Sequence, residues 1–480
     1  MELAAILLLP VLASAISLSP LGRYIAAPAT FVAMAAVLAL AIGVAATAAQ
    51  PGRIDSLGDW LTCDGLGALV LLLVAFVGFT AALFSWGYIR RRAGSAGARK
   101  LRHYYGLYNL FILSMLAVPI LANVALMWVA VELTTLLSAF LVGFEDTPEA
   151  LEAAWKYVVL TTLGAVFALL GFLILYWGSR VAGYEPFTWV GLVEAAPKMP
   201  PALLWPAFLL ILVGFGTKVG LVPMHTWLPD AHSQAPAPIC ALLSGVETTT
   251  VLYVILPLFP VIRLAPGLDA RPWFVGFGLT SAGIATLLLI FVRDFKRMFA
   301  YSTVEHMGII LVAAGIGGAD AHLGAAYQMT GHAIAKSFCF FAAGITVLAI
   351  GTQEIAAVRG LVRASPIAAF ALVLGGFGIA GAPPLAVFVS EFLILKGGLA
   401  SGQYVTVGLL AVFVVIAFCA VMLHVNRMAF GAGGTAAALA VPPSCKATVV
   451  LAAIPLLVIG VYVPSPLHAL LTAAAKAMGG

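Results

Sequence analysis

Apolar runs of bilayer-crossing length recur from one end of this chain to the other. A helix needs about 20 mostly apolar residues to span the hydrocarbon of a membrane, and on that ruler about fourteen spans are read. They lie near residues 3–19, 25–48, 65–88, 105–121, 123–143, 155–178, 203–222, 235–262, 271–292, 300–317, 321–350, 366–398, 403–430 and 446–470. Barrel strands alternate over about 10 residues, and these runs do not alternate, so helices are expected. Of 480 residues, 63% are hydrophobic and 9% charged, against about 25% charged in soluble domains. That excludes an ordinary soluble globule. It also excludes disorder, which needs low hydrophobicity and high charge. The longest polar connections, 49–64, 89–104 and 179–202, leave no room for a soluble domain. The expected fold is an all-α polytopic membrane protein, a single transmembrane domain over residues 1–480. The first run follows Glu2 rather than a basic segment, so it reads as a span and not a signal peptide.

The net charge of +5 sits in short loops and is no footprint of nucleic-acid binding. The loop 90–102 is the most basic, with Arg90, Arg91, Arg92, Arg99, Lys100 and Arg102. If it is cytoplasmic, alternation puts roughly twice as many Lys and Arg on that side as on the other, the positive-inside pattern. Both termini then lie on the non-cytoplasmic side of a cell inner membrane. Five scattered cysteines form no CxxC pair, so neither a disulfide frame nor a metal site is suggested. No GxxxxGK[ST], strand-to-helix GxGxxG or HExxH is present. A bis-histidine haem through His225 and His232, or His322 and His332, is disfavoured. The first pair lies among Pro223, Pro229, Pro236 and Pro238, which no regular helix accommodates. No cofactor is expected in this chain.

An ionisable residue at mid-membrane costs roughly 2.5–3.5 kcal/mol on insertion scales and is a functional candidate by default. Glu132, Lys156, Lys218, Glu247, Glu305, His306, His332, Lys336 and Glu391 all fall in apolar runs. A ligand site would concentrate them in one or two segments. Separated acids and bases suit a proton relay. Structural ion pairing between helices is the bland alternative for any one of them. Lys156 is the weakest member, since Glu152 lies four residues before it and a surface pair explains both. Two runs are also interrupted by proline, Pro223 five residues after Lys218, and Pro383–Pro384 seven residues before Glu391. Broken helices in two halves of a transporter are the best sequence pointer to an ion path.

The stretch KVGLVPMHTWLPDAHSQAPAP, the Glu in VELTTLLSAF and GHAIAKSFCFFAAG resemble the antiporter-like proton-translocating subunits of respiratory complex I. The same superfamily includes subunits of membrane-bound nickel–iron hydrogenase and formate hydrogenlyase, and of Mrp-type sodium/proton antiporters. STVEHMG looks closest to the hydrogenase-type branch. The resemblance covers about residues 60–430. It implies inverted repeats of spans 4–8 (residues 104–263) and 9–13 (271–430), with spans 7 and 12 broken. It also implies a pathway through Glu132 paired with Lys218, then His332, Lys336 and Glu391. His225 joins that set, and Asp230, His232, Glu305 and His306 are further candidates. One departure stands out. The lysine that the resemblance implies in span 8 falls at Thr249, and Glu247 is two residues earlier. Two residues are about 200° around an α-helix, nearly the opposite face. The link between the halves could then run through Glu247, through water, or be lost.

The leading expectation is a proton-translocating membrane subunit of a redox-driven complex, with lipid and other membrane subunits as partners. Any oxidoreductase chemistry would belong to those partners. The alternatives are a multi-subunit Na⁺/H⁺ antiporter subunit, or a structural subunit whose proton path has been lost.

Overall fold

The computed structural model describes residues 1–480 apart from 51, 59, 94–96, 186, 433–438 and 480. The described chain is almost wholly helical. In order the helices are α1 (Glu2–Leu18), α2 (Gly22–Ala48), α3 (Gly65–Ala93), α4 (Gly97–Ala117), α5 (Val124–Val142), α6 (Pro148–Val181) and α7 (Trp189–Ala195). There follow α8 (Pro201–Val219), α9 (Trp227–Gln234), α10 (Ala237–Leu242), α11 (Thr248–Ile255), α12 (Leu258–Leu264), α13 (Arg271–Phe291) and α14 (Phe295–Ile316). The last are α15 (Ala319–Ile350), α16 (Leu361–Ala364), α17 (Pro366–Ile379), α18 (Ala386–Ala400), α19 (Tyr404–Phe430), α20 (Pro443–Val458) and α21 (Ser465–Ala477). A π-helical turn, Leu243–Glu247, joins α10 to α11. The polar connection after α2 folds into a small antiparallel hairpin, β1 (Ile54–Ser56) and β2 (Leu61–Cys63).

Local sequence sets the starts. Asn123 accepts from the Ala125 and Leu126 amides at the head of α5, and Asp294 from Lys296 and Arg297 at the head of α14. Thr147 caps α6 ahead of Pro148. Each cap satisfies amides that have no partner within the helix. The run 446–470, read without a break, is not a single helix. It divides into α20 and α21, restarting at Ser465 between Pro464 and Pro466. Helix α20 has already ended at Val458, and the prolines open α21, where a missing amide is tolerated; apolar composition cannot register the break.

Among the described residues, ten helical segments are long and apolar enough to cross a bilayer. Helices α14, α15 and the stretch from α10 to α12 form the buried axis. Outer helices expose apolar side chains such as Val32, Trp155, Phe291 and Val405. Closed backbone hydrogen bonding inside and apolar side chains outside are what a bilayer demands. The chain is a multi-pass integral membrane protein.

Small residues allow the closest helix contacts. Gly164 of α6 faces Gly214 of α8, and Gly278 of α13 faces Gly308 of α14. A Cβ added at any of the four would fall within 2.7 Å of its partner's carbonyl oxygen. Without a hydrophobic drive between helices in lipid, such backbone approach is what holds them together.

The two helix breaks close alike. Gly220 (φ 87°) follows α8, and the Leu221 amide donates to the Gly216 carbonyl at 2.8 Å. Gly381 (φ 68°) lies just past α17, and the Ala382 amide donates to Phe377 at 3.1 Å. Each is a left-handed glycine ending, followed three residues later by a proline, Pro223 or Pro384. The Val222–Pro223 and Pro383–Pro384 peptide bonds are cis.

Replacing Gly308 by valine should cost about 1–3 kcal/mol through overpacking, read as a lower thermal unfolding temperature in detergent. Gly276→Ala on α13, where a Cβ meets nothing within 4 Å, should leave that temperature unchanged.

Candidate functional site

Two clusters of buried polar groups meet at the π-helical turn. In the first, Lys218 sits in the last turn of α8, where the negative end of the helix dipole favours a cation. Its ammonium donates to the Val131 carbonyl at 3.0 Å and to the Thr135 hydroxyl, both on α5. It also lies 3.5 Å from Glu247 Oε1, and the two side chains are only 1% and 2% exposed. The same oxygen accepts from Thr134 at 3.0 Å and from Tyr157 of α6 at 2.9 Å. Tyr157 and Ser138 share a further hydrogen bond of 2.8 Å. Glu247 Oε2 is enclosed and has no hydrogen-bond partner among the described residues.

The expected partner of Lys218 was Glu132; its ion-pair contact is with Glu247 instead. The cause is the π turn. One extra residue in a turn delays everything after it by about 100°, which swings Glu247 toward α8. Thr249 then points elsewhere, and its hydroxyl returns to the Gly245 carbonyl of its own helix. Glu132 lies at the edge of the outward side of α5, one turn from Val129 and Leu136, which are 53% and 55% exposed, yet close enough to feel the charges of Lys218 and Glu247. It is half-buried, and its Oε1 is enclosed without a partner among the described residues.

The second cluster lies along α14 and α15. Lys336 donates to the Phe299 carbonyl at 3.1 Å and to the Ser302 hydroxyl. His332 Nε2 meets the Ser244 carbonyl at 2.8 Å, and its Nδ1 meets Nδ1 of His306 at 3.2 Å. Ser244 and Thr303 share a 2.6 Å hydrogen bond. Ser244 and Glu247 are three residues apart on one π turn, so that turn touches both clusters. Glu305 is buried beside His306. Glu391 is buried on α18, and its carboxylate occupies the space a Cβ at Gly381 would take. A side chain at 381 would have to displace that carboxylate, and the left-handed φ of 68° separately favours glycine there.

The remaining candidates separate. Lys156 makes the surface pair with Glu152 at 2.7 Å and also reaches Asp230 at 3.2 Å. Asp230 pairs in turn with Arg297 at 2.6 Å. These four form a partly exposed network at a helix end. His225 is half-buried within the first break. His232 is fully buried, its Nδ1 2.8 Å from the Leu228 carbonyl and its Nε2 without a partner among the described residues.

Residues 122–417 match the family described as NADH:quinone oxidoreductase/Mrp antiporter, TM. The chain belongs to this family. Every residue of the two clusters lies inside the matched stretch. The chain is 39% identical over 383 residues to the hydrogenase-4 component F homolog of Methylacidiphilum infernorum (isolate V4), covering 78% of this chain and 80% of that one. Hydrogenase-4 component B of Escherichia coli (strain K12) is 30% identical over 347 residues, 69% of this chain, which spans 50% of that longer relative. The fold is similar to a chain of the membrane-bound sulfane sulfur reductase, an archaeal respiratory membrane complex. There the TM-score is 0.87 at 22% identity, with 100% and 98% of the two chains covered.

Three features of this family member escaped sequence reasoning. Tyr157 was hidden because an aromatic in an apolar run reads as packing. The π turn has no local sequence signal. Lys296 falls between the apolar runs 271–292 and 300–317, where a charge is ordinarily solvated, yet it is buried, donating to the Ser233 and Ala235 carbonyls at 2.7 Å each. The adjacent cap residue Asp294 was the available clue that Lys296 begins a helix. Replacing Lys296 by methionine should destabilise the chain by about 1–3 kcal/mol for each carbonyl left unsatisfied, measured by thermal melting. Arg293→Gln, at an exposed site, is the control and should change little.

Proposed function

We propose that this chain is a proton-translocating, antiporter-like subunit of a redox-driven membrane complex of the hydrogenase or NADH:quinone oxidoreductase kind. Protons move along Glu132, Lys218, Glu247, His332, Lys336 and Glu391, with His225 at the first break. The observation that carries this reading is the enclosed Lys218–Glu247 pair. Two opposite charges in a low-dielectric site can cancel by moving one proton from Nζ to Oε1, which removes both desolvation costs. Tyr157 suits both states. It donates to Oε1 when the carboxylate is charged. When Oε1 carries the proton, Tyr157 accepts it by turning its own O–H to Ser138, whose hydroxyl donates to the Thr134 carbonyl at 2.7 Å. The proton is thereby held away from Lys218 while Lys218 reloads.

Moving one charge against 100 mV costs about 2.3 kcal/mol, so the chain works only when coupled to another reaction. The redox centres belong to partner subunits, and this chain needs no cofactor of its own. Glu132 supports such partnership, since a half-buried carboxylate on an outward apolar face is served by a cationic or hydrogen-bonding group on a neighbour. The same reading includes fourteen spans, inverted repeats over 104–263 and 271–430, and an inner-membrane location with both termini outside the cytoplasm. The matching endings of α8 and α17 support the repeats, and the loop charges support the orientation. A second reading, cation/proton antiport, draws on the Mrp part of the family description.

In vesicles carrying the assembled complex, Lys218→Ala should abolish coupled proton uptake while assembly survives. Tyr157→Phe, which keeps the ring packed against Trp227 with centroids 4.6 Å apart, should slow it about tenfold, within the range set by misplaced proton-transfer groups. Unchanged uptake in Lys218→Ala would sink the reading. Sodium uptake driven by a pH gradient without a redox substrate would move the chain to the antiporter class.

A further inference from the structure

The contact between His306 and His332 has a proton requirement that their neighbours fix. His332 Nε2 faces the Ser244 carbonyl at 2.8 Å, and His306 Nε2 faces the Ile379 carbonyl at 3.0 Å. A carbonyl only accepts, so both Nε2 atoms must carry hydrogen. The Ile379 carbonyl is free for this contact because the residue four positions on is Pro383, which has no amide to offer. With both Nε2 positions protonated, two neutral rings would bring bare Nδ1 lone pairs together at 3.2 Å. Turning either ring over would remove its Nε2–H from the carbonyl it serves. One additional proton resolves the conflict, because a single Nδ1–H then donates to the other Nδ1.

We infer that His306 and His332 form a one-proton binding site whose occupancy joins the π turn to the second helix break. Occupied, the pair is an imidazolium bonded to an imidazole. Its outer N–H groups tie the Ser244 carbonyl of the π turn to the Ile379 carbonyl at the end of α17. Emptied, the facing lone pairs repel, one ring turns, and one of the two carbonyls is released. The only bond change is an Nδ1–H bond made on uptake and broken on release, and nothing is oxidised or reduced. The cation facing the pair is Lys336, one helical turn after His332 on α15, and His232 faces His332 from α9. Glu305, next to His306 along α14, is turned to Lys336 and Glu391 rather than to the pair. Lys336 is the nearby group able to give or take that proton. A proton on the pair thus reports across the position where Thr249 leaves the axis without a cation.

This site rests on the reading of the chain as a proton carrier, but its test does not require transport. The full chain, labelled with ¹⁵N-histidine and embedded in lipid, is examined by solid-state NMR over a range of pH. Near neutral pH one Nδ1 of the pair should be protonated and coupled through its hydrogen bond to the other Nδ1, with both Nε2 atoms protonated. Raising the pH should remove only the Nδ1 proton, and His306→Asn or His332→Asn should each abolish the coupling. Both Nδ1 atoms bare at every pH where the chain stays folded would overturn the inference, as would a bare Nε2 on either ring. If the variants do not fold, the unmodified spectrum alone decides. Coupling in a chain that moves no protons would leave the site standing and sink the transport reading.

Discussion

Everything else in the site is arranged around one buried ion pair. Lys218 and Glu247 lie 3.5 Å apart, both nearly inaccessible. Taking two such charges out of water is expensive, and their attraction offsets the cost only when other hydrogen bonds complete each group. Lys218 has the Val131 carbonyl, the Thr135 hydroxyl and the end of α8. Glu247 has Thr134 and Tyr157 on one oxygen and, among the described residues, no partner on the other. That imbalance distinguishes the pair from a purely structural bridge. A structural bridge gains from satisfying both oxygens, whereas a group that alternates between charged and neutral needs neighbours able to serve either state.

The irregular backbone is what puts these groups in place. Helix α8 stops because Gly220 turns the chain and Pro223 cannot resume it, leaving Lys218 in the final turn. The π turn then presents Glu247 to Lys218 from one end and Ser244 to His332 from near the other. Around this the ordinary helices are locked by reciprocal glycine contacts, α6 on α8 and α13 on α14. Strain-free helices would have been simpler to build. The departures cluster where charges are buried, which is where irregular backbone at membrane depth is tolerated, covered by protein.

Much of this was legible in the amino-acid order, for reasons that differ residue by residue. Long apolar runs fix helices in a bilayer because no other open structure satisfies the backbone there, so the class followed from composition. The breaks at Pro223 and Pro383–Pro384 were legible because proline lacks an amide, and the Lys156–Glu152 pair because four residues make one helical turn. Glu247 on a different face from Thr249 was legible, but its pairing with Lys218 was not, because that contact joins distant segments and nothing in LLSGVETTT announces the wider turn. The Pro464 break was overlooked because the run's apolar character continues through it. The burial of Lys296 was not legible because enclosure of a cation by two carbonyls is a tertiary fact. In each case local chemistry was readable, and rotation or burial was set by packing between distant segments.

The account stands on Lys218 being coupled to Glu247 more strongly than to Glu132. The direct measurement is a pair of double-mutant cycles on folding stability, using Lys218→Met with Glu247→Met and Lys218→Met with Glu132→Met. Breaking a buried pair from one side costs about 3–5 kcal/mol, while replacing both partners by apolar groups is often neutral. The Lys218/Glu247 cycle should therefore recover most of the loss in the double variant, and the Lys218/Glu132 cycle should be close to additive. Additive losses at Lys218 and Glu247, with recovery at Lys218 and Glu132 instead, would contradict it.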